Sequence, residues 1–270
     1  MQTSRIWTIY RKQFEMMPEQ IKSANAELRS KSPLEIVRWA VSRAAGRAIV
    51  STNYRPYEAV ILHLATQVQA DLPVLWVDHG YNRPATYRHA EQLKSMLNLN
   101  VKAYVPRLTA AHYDAAFGGA PEPTPENEER IKAFSTVMKL EPFQRGMKEL
   151  APTVWITALR QVQNPNRAGL DIVSVDNNFN SLKVSPLFYW SDAQMENYLA
   201  EHKLPNEWDY FDPAKADEKR ECGLHANWGG AGSRGTDNKF TTVTEQTDLQ
   251  QLCVQSGKLI SGLIRSPGDR

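Results

Sequence analysis

The chain has 270 residues, 32 of them basic and 30 acidic, for a formal net charge of +2 at pH 7. This near balance gives no support for a nucleic-acid or membrane partner, and 2 cysteines supply neither a disulfide framework nor the four thiolates of a usual iron–sulfur cluster. A reducing, cytoplasmic setting is the expectation, because the N-terminus lacks the apolar core of a signal peptide and no run approaches the roughly 18 apolar residues of a membrane span.

In chain order, residues 18 to 45 read as helical, with Pro33 at a first-turn position after Ser32 and Leu34, Ile36, Val37, Trp39, Ala40 and Val41 as a packing face. Arg47 to Ser51 is a short β-type run, and Glu58 to Gln69 returns to helical spacing. Pro73 to Val77 reads as a second strand, Tyr87 to Leu97 as a second helix and Val101 to Val105 as a third strand. The Gly-, Pro- and Glu-rich stretch Gly118 to Glu129 reads as an exposed loop or lid. A helix is expected over Arg130 to Leu150, strands at Val154 to Leu159 and Val184 to Pro186, and a helix over Asp192 to His202. This alternation implies an α/β class with a mostly parallel sheet flanked by helices. Periodicity fades from Asn206; Gly229 to Asp237 reads as flexible and Thr244 to Ile264 as one further helix.

Three segments carry candidate chemistry. In ECGLH, Glu221 to His225, the thiol of Cys222 has Lys219, Arg220 and His225 as neighbours in the chain, and cations favour the nucleophilic thiolate, while Glu221 opposes them. Cys253 lies among apolar residues at helical spacing and reads as core packing. In open parallel sheets, ligands bind beyond the carboxyl ends of the strands. Two loops have that position: Ser51 to Pro56, with Ser51, Thr52, Asn53 and Arg55 as phosphate candidates, and Val77 to Pro84, where Asp78 ends a strand and Gly80 permits a tight turn before Tyr81. By themselves both loops are equally compatible with ordinary turn chemistry.

Taken in order, the segments resemble the phosphoadenylyl-sulfate (PAPS) reductase family over roughly residues 33 to 228. The shared elements are the strand, loop and helix IVSTNYRPYEAVILHL, the Asp-x-Gly-Tyr turn in VDHGYNRPATYRHAEQL, the Lys-x-Glu-Pro segment KLEPFQRGMKEL, the strand and loop WITALRQVQNPNR, and ECGLH. The resemblance implies an adenine nucleotide alpha hydrolase-like (PP-loop) fold with a mobile C-terminal segment. It also implies a thioredoxin-dependent reduction of PAPS to sulfite through an S-sulfocysteine on Cys222. His225 would hold or polarise the thiol, and Lys139, Glu141, Arg160, Gln163, Arg167, Lys219 and Arg220 join the two loops as substrate contacts. No metal or bound cofactor is expected; reduced thioredoxin or glutaredoxin is the electron donor, and a homodimer is left open. The implied layout is N-terminal helices over 1–45, a core over 46–205, a catalytic segment over 206–228 and a flexible tail over 229–270.

The chain departs from the family pattern at several positions. Arg55 stands where the phosphate loop normally has Gly, His79 where Thr is expected, Ala158 replaces a Gly, and Gln161 replaces an Arg. The stretch LPNEWDYFDPAKADEK, from Leu204, is shorter than its usual counterpart. The alternative reading is a catalytically weakened or re-targeted PP-loop nucleotide-binding protein acting on another adenylated or sulfated nucleotide. An ATP pyrophosphatase is disfavoured, because its Ser-Gly-Gly-x-Asp-Ser loop is absent.

Overall fold

The apolar, β-rich runs of the sequence become strands at the centre of one sheet. The structure, a computed structural model, describes residues 16–122 and 124–213. Six strands, β1 (Ala48–Thr52), β2 (Pro73–Val77), β3 (Asn100–Tyr104), β4 (Val154–Ile156), β5 (Val173–Asp176) and β6 (Ser181–Val184), lie in the order β3-β2-β1-β4-β6-β5. All neighbouring pairs are parallel except β5 with β6, which is antiparallel. Val50 of β1 sits opposite both Val74 of β2 and Ile156 of β4, so the strand order reverses on either side of β1. That reversal makes the carboxyl edge of β1 and β4 the switch point where such sheets bind ligands.

Alternation along the strands divides the side chains between two faces. On one face Val50, Val74, Val154, Ile156 and Val184 pack with helices α2 (Pro33–Arg43), α3 (Glu58–Val68) and α8 (Asp192–Glu201) in the larger core. On the other, Ile49, Leu75, Val77 and Trp155 pack with Phe143 and Met147 of α7 (Glu141–Leu150). Gly146 lets α7 lie close to the sheet: a Cβ there would meet Leu75 Cδ1 at 2.6 Å and Tyr104 Cδ2 at 2.9 Å. The remaining helices are α1 (Pro18–Leu28), α4 (Pro84–Leu97), α5 (Ala110–Phe117) and α6 (Glu128–Ser135).

The expected mostly parallel sheet flanked by helices is the observed one, and β2 spans the residues read from the sequence. The differences have local causes. The helix expected over 18 to 45 is two helices, because Ser32 starts a new one. Its hydroxyl accepts from Glu35 N–H, its own N–H donates to Glu35 Oε2 at 2.8 Å, and Pro33 follows. The helix expected over Arg130 to Leu150 is α6, a π-helical turn at Thr136–Leu140, and α7. Pro142 has no N–H for the carbonyl four residues back and its ring crowds that turn, so the wider π turn in front of it relieves the conflict. The stretch read as a loop gains a 3-10 turn at Pro125–Asn127 before α6 starts.

The strand expected at Val184 to Pro186 is instead β6, ending at Val184 and joined to the unexpected edge strand β5 by a tight turn. Asp176 Oδ1 accepts from Asn178 and Phe179 N–H, and Asn180 has φ +52°. Asn25 of α1 pins β5 by bonding both N–H and C=O of Val173. The expected helix at 244 to 264, the flexible stretch at 229 to 237 and Cys253 lie outside the described residues.

Candidate active site

The loop after β1 closes on itself through an acid. Thr52 Oγ1 donates to Glu58 Oε2 at 2.7 Å, Asn53 N–H donates to the same oxygen at 2.6 Å, and Arg55 Nε lies 3.5 Å from Glu58 Oε1. The hydroxyl of Thr52 also accepts from Tyr54 N–H at 3.0 Å. The Thr52 hydroxyl and Asn53 N–H, expected to face a phosphate, are thus engaged by Glu58. Ser51 points to the other face of the sheet, where Trp155 Nε1 donates to its Oγ at 2.8 Å and leaves the hydroxyl hydrogen for another acceptor. Tyr54 and Tyr57 have φ +54° and +72°, a left-handed conformation costing roughly 1–3 kcal/mol each in a non-glycine residue. Their side chains hold it: the Tyr54 ring is buried edge-on to Trp76, and Tyr57 OH donates to Glu196 at 3.0 Å.

The turn after β2 spends most of its polar groups internally. Asp78 Oδ1 accepts from Gly80 N–H at 3.0 Å, Asn82 Nδ2 at 3.3 Å and Tyr87 OH at 2.7 Å. Gly80 has φ +78°, and a Cβ there would approach Ala110 Cβ to 3.0 Å, so both conformation and space require glycine. Tyr81 turns toward α5, donating to Asp114 Oδ1 at 2.6 Å with its ring edge-on to Phe134. His79 is 4 % exposed, and its Nδ1 accepts from Tyr81 N–H. Burial, with the nearby Lys139 ammonium second, pushes its pKa down to about 4. The imidazole at this position is therefore neutral at physiological pH.

Two cationic groups flank these loops. Lys139, on the π turn, is buried and donates to Asp212 Oδ2 at 2.5 Å. Glu141, next along, accepts from Arg107 Nε at 3.1 Å and Arg145 Nε at 3.0 Å, which commits it to two arginines. Arg160 is 3 % exposed; Nη1 donates to Trp190 O, Nη2 donates to Asp192 Oδ1 at 2.6 Å, and the guanidinium lies 5.2 Å from the Tyr57 ring centroid. Its Nε is buried with no hydrogen-bond partner among the described residues. Gln163 Oε1 accepts from Arg160 N–H and, at 2.6 Å, from Arg167 Nη1, while Arg167 also donates to Arg160 O. Arg160, Gln163 and Arg167 therefore form one unit after β4.

The segment from Leu204 joins both groups, a role that loss of periodicity hid in the sequence. Asn206 Oδ1 accepts from Tyr57 N–H at 2.8 Å, and Trp208 packs edge-on to Tyr57. Asp209 pairs with Arg83, Phe211 lies under the same guanidinium, and Asp212 ends the run on Lys139. Glu58, Tyr57, Asn206 and Asp212 belong to the site without being among the residues expected from the sequence. Only Glu58 left a sequence signal, an acid in the first turn of a helix at a strand end. Cys222, His225, Lys219 and Arg220 lie outside the described residues. Cys222 follows Asp212 by ten positions, a reach of at most about 35 Å.

Comparison with known proteins agrees with this geometry. Residues 47–208 match the family model of the phosphoadenosine phosphosulfate reductase domain. A phosphoadenosine 5'-phosphosulfate reductase of Synechococcus sp. is 32% identical over 224 residues, spanning 74% of this chain and 95% of the relative. One from Vibrio campbellii is 33% identical over 227 residues, spanning 76% and 86%. The fold is similar to that of phosphoadenylyl-sulfate (PAPS) reductase from Candida auris, crystallised as a phosphate complex, with a TM-score of 0.62 at 23% identity over 71% of this chain and 90% of that one. With the matched domain covering both strand-end loops and both cationic groups, the chain belongs to the phosphoadenosine phosphosulfate reductase family.

Proposed function

We propose that the chain reduces PAPS to sulfite. The Cys222 thiolate attacks the sulfonate sulfur, a sulfur–sulfur bond forms, and the sulfur–oxygen bond to the phosphate breaks, so adenosine 3',5'-bisphosphate leaves with the electron pair. A reduced dithiol of the thioredoxin or glutaredoxin class then attacks Cys222 Sγ and sulfite leaves. The second thiol resolves the mixed disulfide, so the donor ends as a disulfide and Cys222 as a thiolate. Two electrons pass from dithiol to sulfur.

The observation that carries this reading is the path of residues 204–212 across the carboxyl edge of the sheet, from Tyr57 beside Arg160 to Lys139. It anchors the segment that leads to Cys222 against the cations a sulfonucleotide requires. Arg160, with an unused buried Nε donor, and Arg167, oriented through Gln163, stabilise negative charge on the nucleotide and on the leaving phosphate. Ser51 and Arg55 contribute from the β1 side, Lys139 from the π turn, and Lys219 and Arg220 arrive with the cysteine. His225 holds the thiol. In this reading 206–228 is the catalytic segment and 229–270 a tail.

The test is intact mass spectrometry of the full chain incubated with PAPS and no reductant. A sulfonate adduct of about 80 Da that maps to Cys222 is expected of a covalent intermediate. Folded protein that binds the nucleotide and never gains the adduct would refute the mechanism and favour a nucleotide-binding role. Sulfite release on adding a reduced dithiol protein completes the cycle.

A further inference from the structure

The carboxyl end of β1, followed by the N-terminus of α3, is where an open α/β sheet offers its backbone donors to an anion. In this chain a carboxylate already fills that position. Glu58 opens α3 and is 7 % exposed. Its Oε2 takes both the Thr52 hydroxyl and the Asn53 N–H. Three further backbone donors of the loop and helix start also have internal acceptors: Tyr54 N–H bonds Thr52 Oγ1, Tyr57 N–H bonds Asn206 Oδ1, and Glu58 N–H bonds Arg55 O. The left-handed Tyr54 and Tyr57 bracket the fold-back that carries Glu58 to Thr52 and Asn53.

We propose that Glu58 is a specificity-determining residue: its carboxylate fills the oxyanion position of the β1 loop and keeps a ligand's phosphate off Thr52 and Asn53. The nucleotide's phosphates are read instead by side-chain cations, Arg55, whose Nε lies 3.5 Å from Glu58 Oε1, and the Arg160–Arg167 unit across the switch point. Two anions competing for one N–H and one hydroxyl repel strongly in a site this buried, so one of them must leave. The inference deepens the reductase reading, on which it rests for the ligand being a phosphorylated adenine nucleotide.

The test compares the full-length wild type with Glu58→Gln and Glu58→Ala by calorimetric titration with adenosine, adenosine 5'-monophosphate and adenosine 3',5'-bisphosphate. Glu58→Gln keeps one oxygen that can accept from both Thr52 and Asn53 and removes the charge that repels a phosphate; Glu58→Ala opens both donors. Both variants are expected to bind at least one phosphorylated ligand about tenfold or more tighter than wild type, with adenosine unchanged. No gain, a loss, or the same gain for adenosine would make Glu58 a helix cap and overturn the proposal. So would collapse of both variants to unfolded protein in thermal melts. The Cys222 adduct is followed in the same samples. Its absence from wild type would sink the reductase reading, while the ratio of phosphorylated to unphosphorylated binding would still decide Glu58.

Discussion

Replacing Lys139 by Met tests the link between the π turn and the segment that precedes Cys222. The two side chains of the Lys139–Asp212 pair are 4 % and 8 % exposed and their polar atoms are 2.5 Å apart. Attraction at that distance is large, about 7 kcal/mol at an effective dielectric of roughly 20, but desolvating both ions offsets most of it. Removing only the ammonium leaves a buried carboxylate without that partner, which costs about 3–5 kcal/mol. For a fold of this size that is a fall in melting temperature of roughly 10 °C. Lys139→Met combined with Asp212→Asn removes both charges and is expected to recover much of the loss, so the singles and the double are strongly non-additive in urea denaturation. The His79 imidazole supplies an independent readout by NMR titration. Lys139 is the second cause of its low pKa after burial, so the variant titrates higher while staying below 6.5. A single variant that loses less than about 1 kcal/mol, or a double equal to the sum of the singles, would refute the buried pair.

Acid should destabilise the fold through His79: the unfolded imidazole takes its proton near 6.5 and the folded one only at about 4. In that window the unfolded state binds more protons, so stability is intact above the upper value and falls by about 3 kcal/mol from this group as pH drops to the lower one. Urea midpoints across the window, flattened in His79→Gln, check it. Gly146→Ala forces a methyl against Leu75 and Tyr104 and should cost about 1–3 kcal/mol by thermal melting. Arg160→Lys replaces a planar fork, whose separate nitrogens reach Trp190 O and Asp192, by a single ammonium nitrogen that cannot stand at both positions and at that of Nε, so adenosine 3',5'-bisphosphate should bind about tenfold more weakly in titration calorimetry. Cys222→Ser should bind that nucleotide normally yet form no sulfonate adduct and release no sulfite.

The parts of the site legible in the sequence are those whose chemistry is local. The Asp78-x-Gly80 turn follows from a carboxylate that accepts from the N–H two residues on and a glycine that can take positive φ. Gln163 and Arg167, implied by the family resemblance, lie in two consecutive 3-10 turns and meet across the extended Asn164 that links them. Asp212 on Lys139 and Asn206 on Tyr57 join positions 73 and 149 residues apart, and no local pattern announces such a pair. Periodicity therefore fades from Asn206 although residues 206 to 212 are bonded across the sheet edge.

Hydrophobic periodicity determined by itself that this protein has a mostly parallel α/β sheet, and it put the loops Ser51 to Arg55 and Asp78 to Tyr81 at strand ends. Each depends on a repeat or a turn a few residues long. Tertiary structure alone decided what those loops offer. The Thr52 hydroxyl and Asn53 N–H go to Glu58, Glu141 goes to two arginines, and His79 stays neutral, because burial and through-space charge set the state of a polar group and neither is written in its neighbours along the chain.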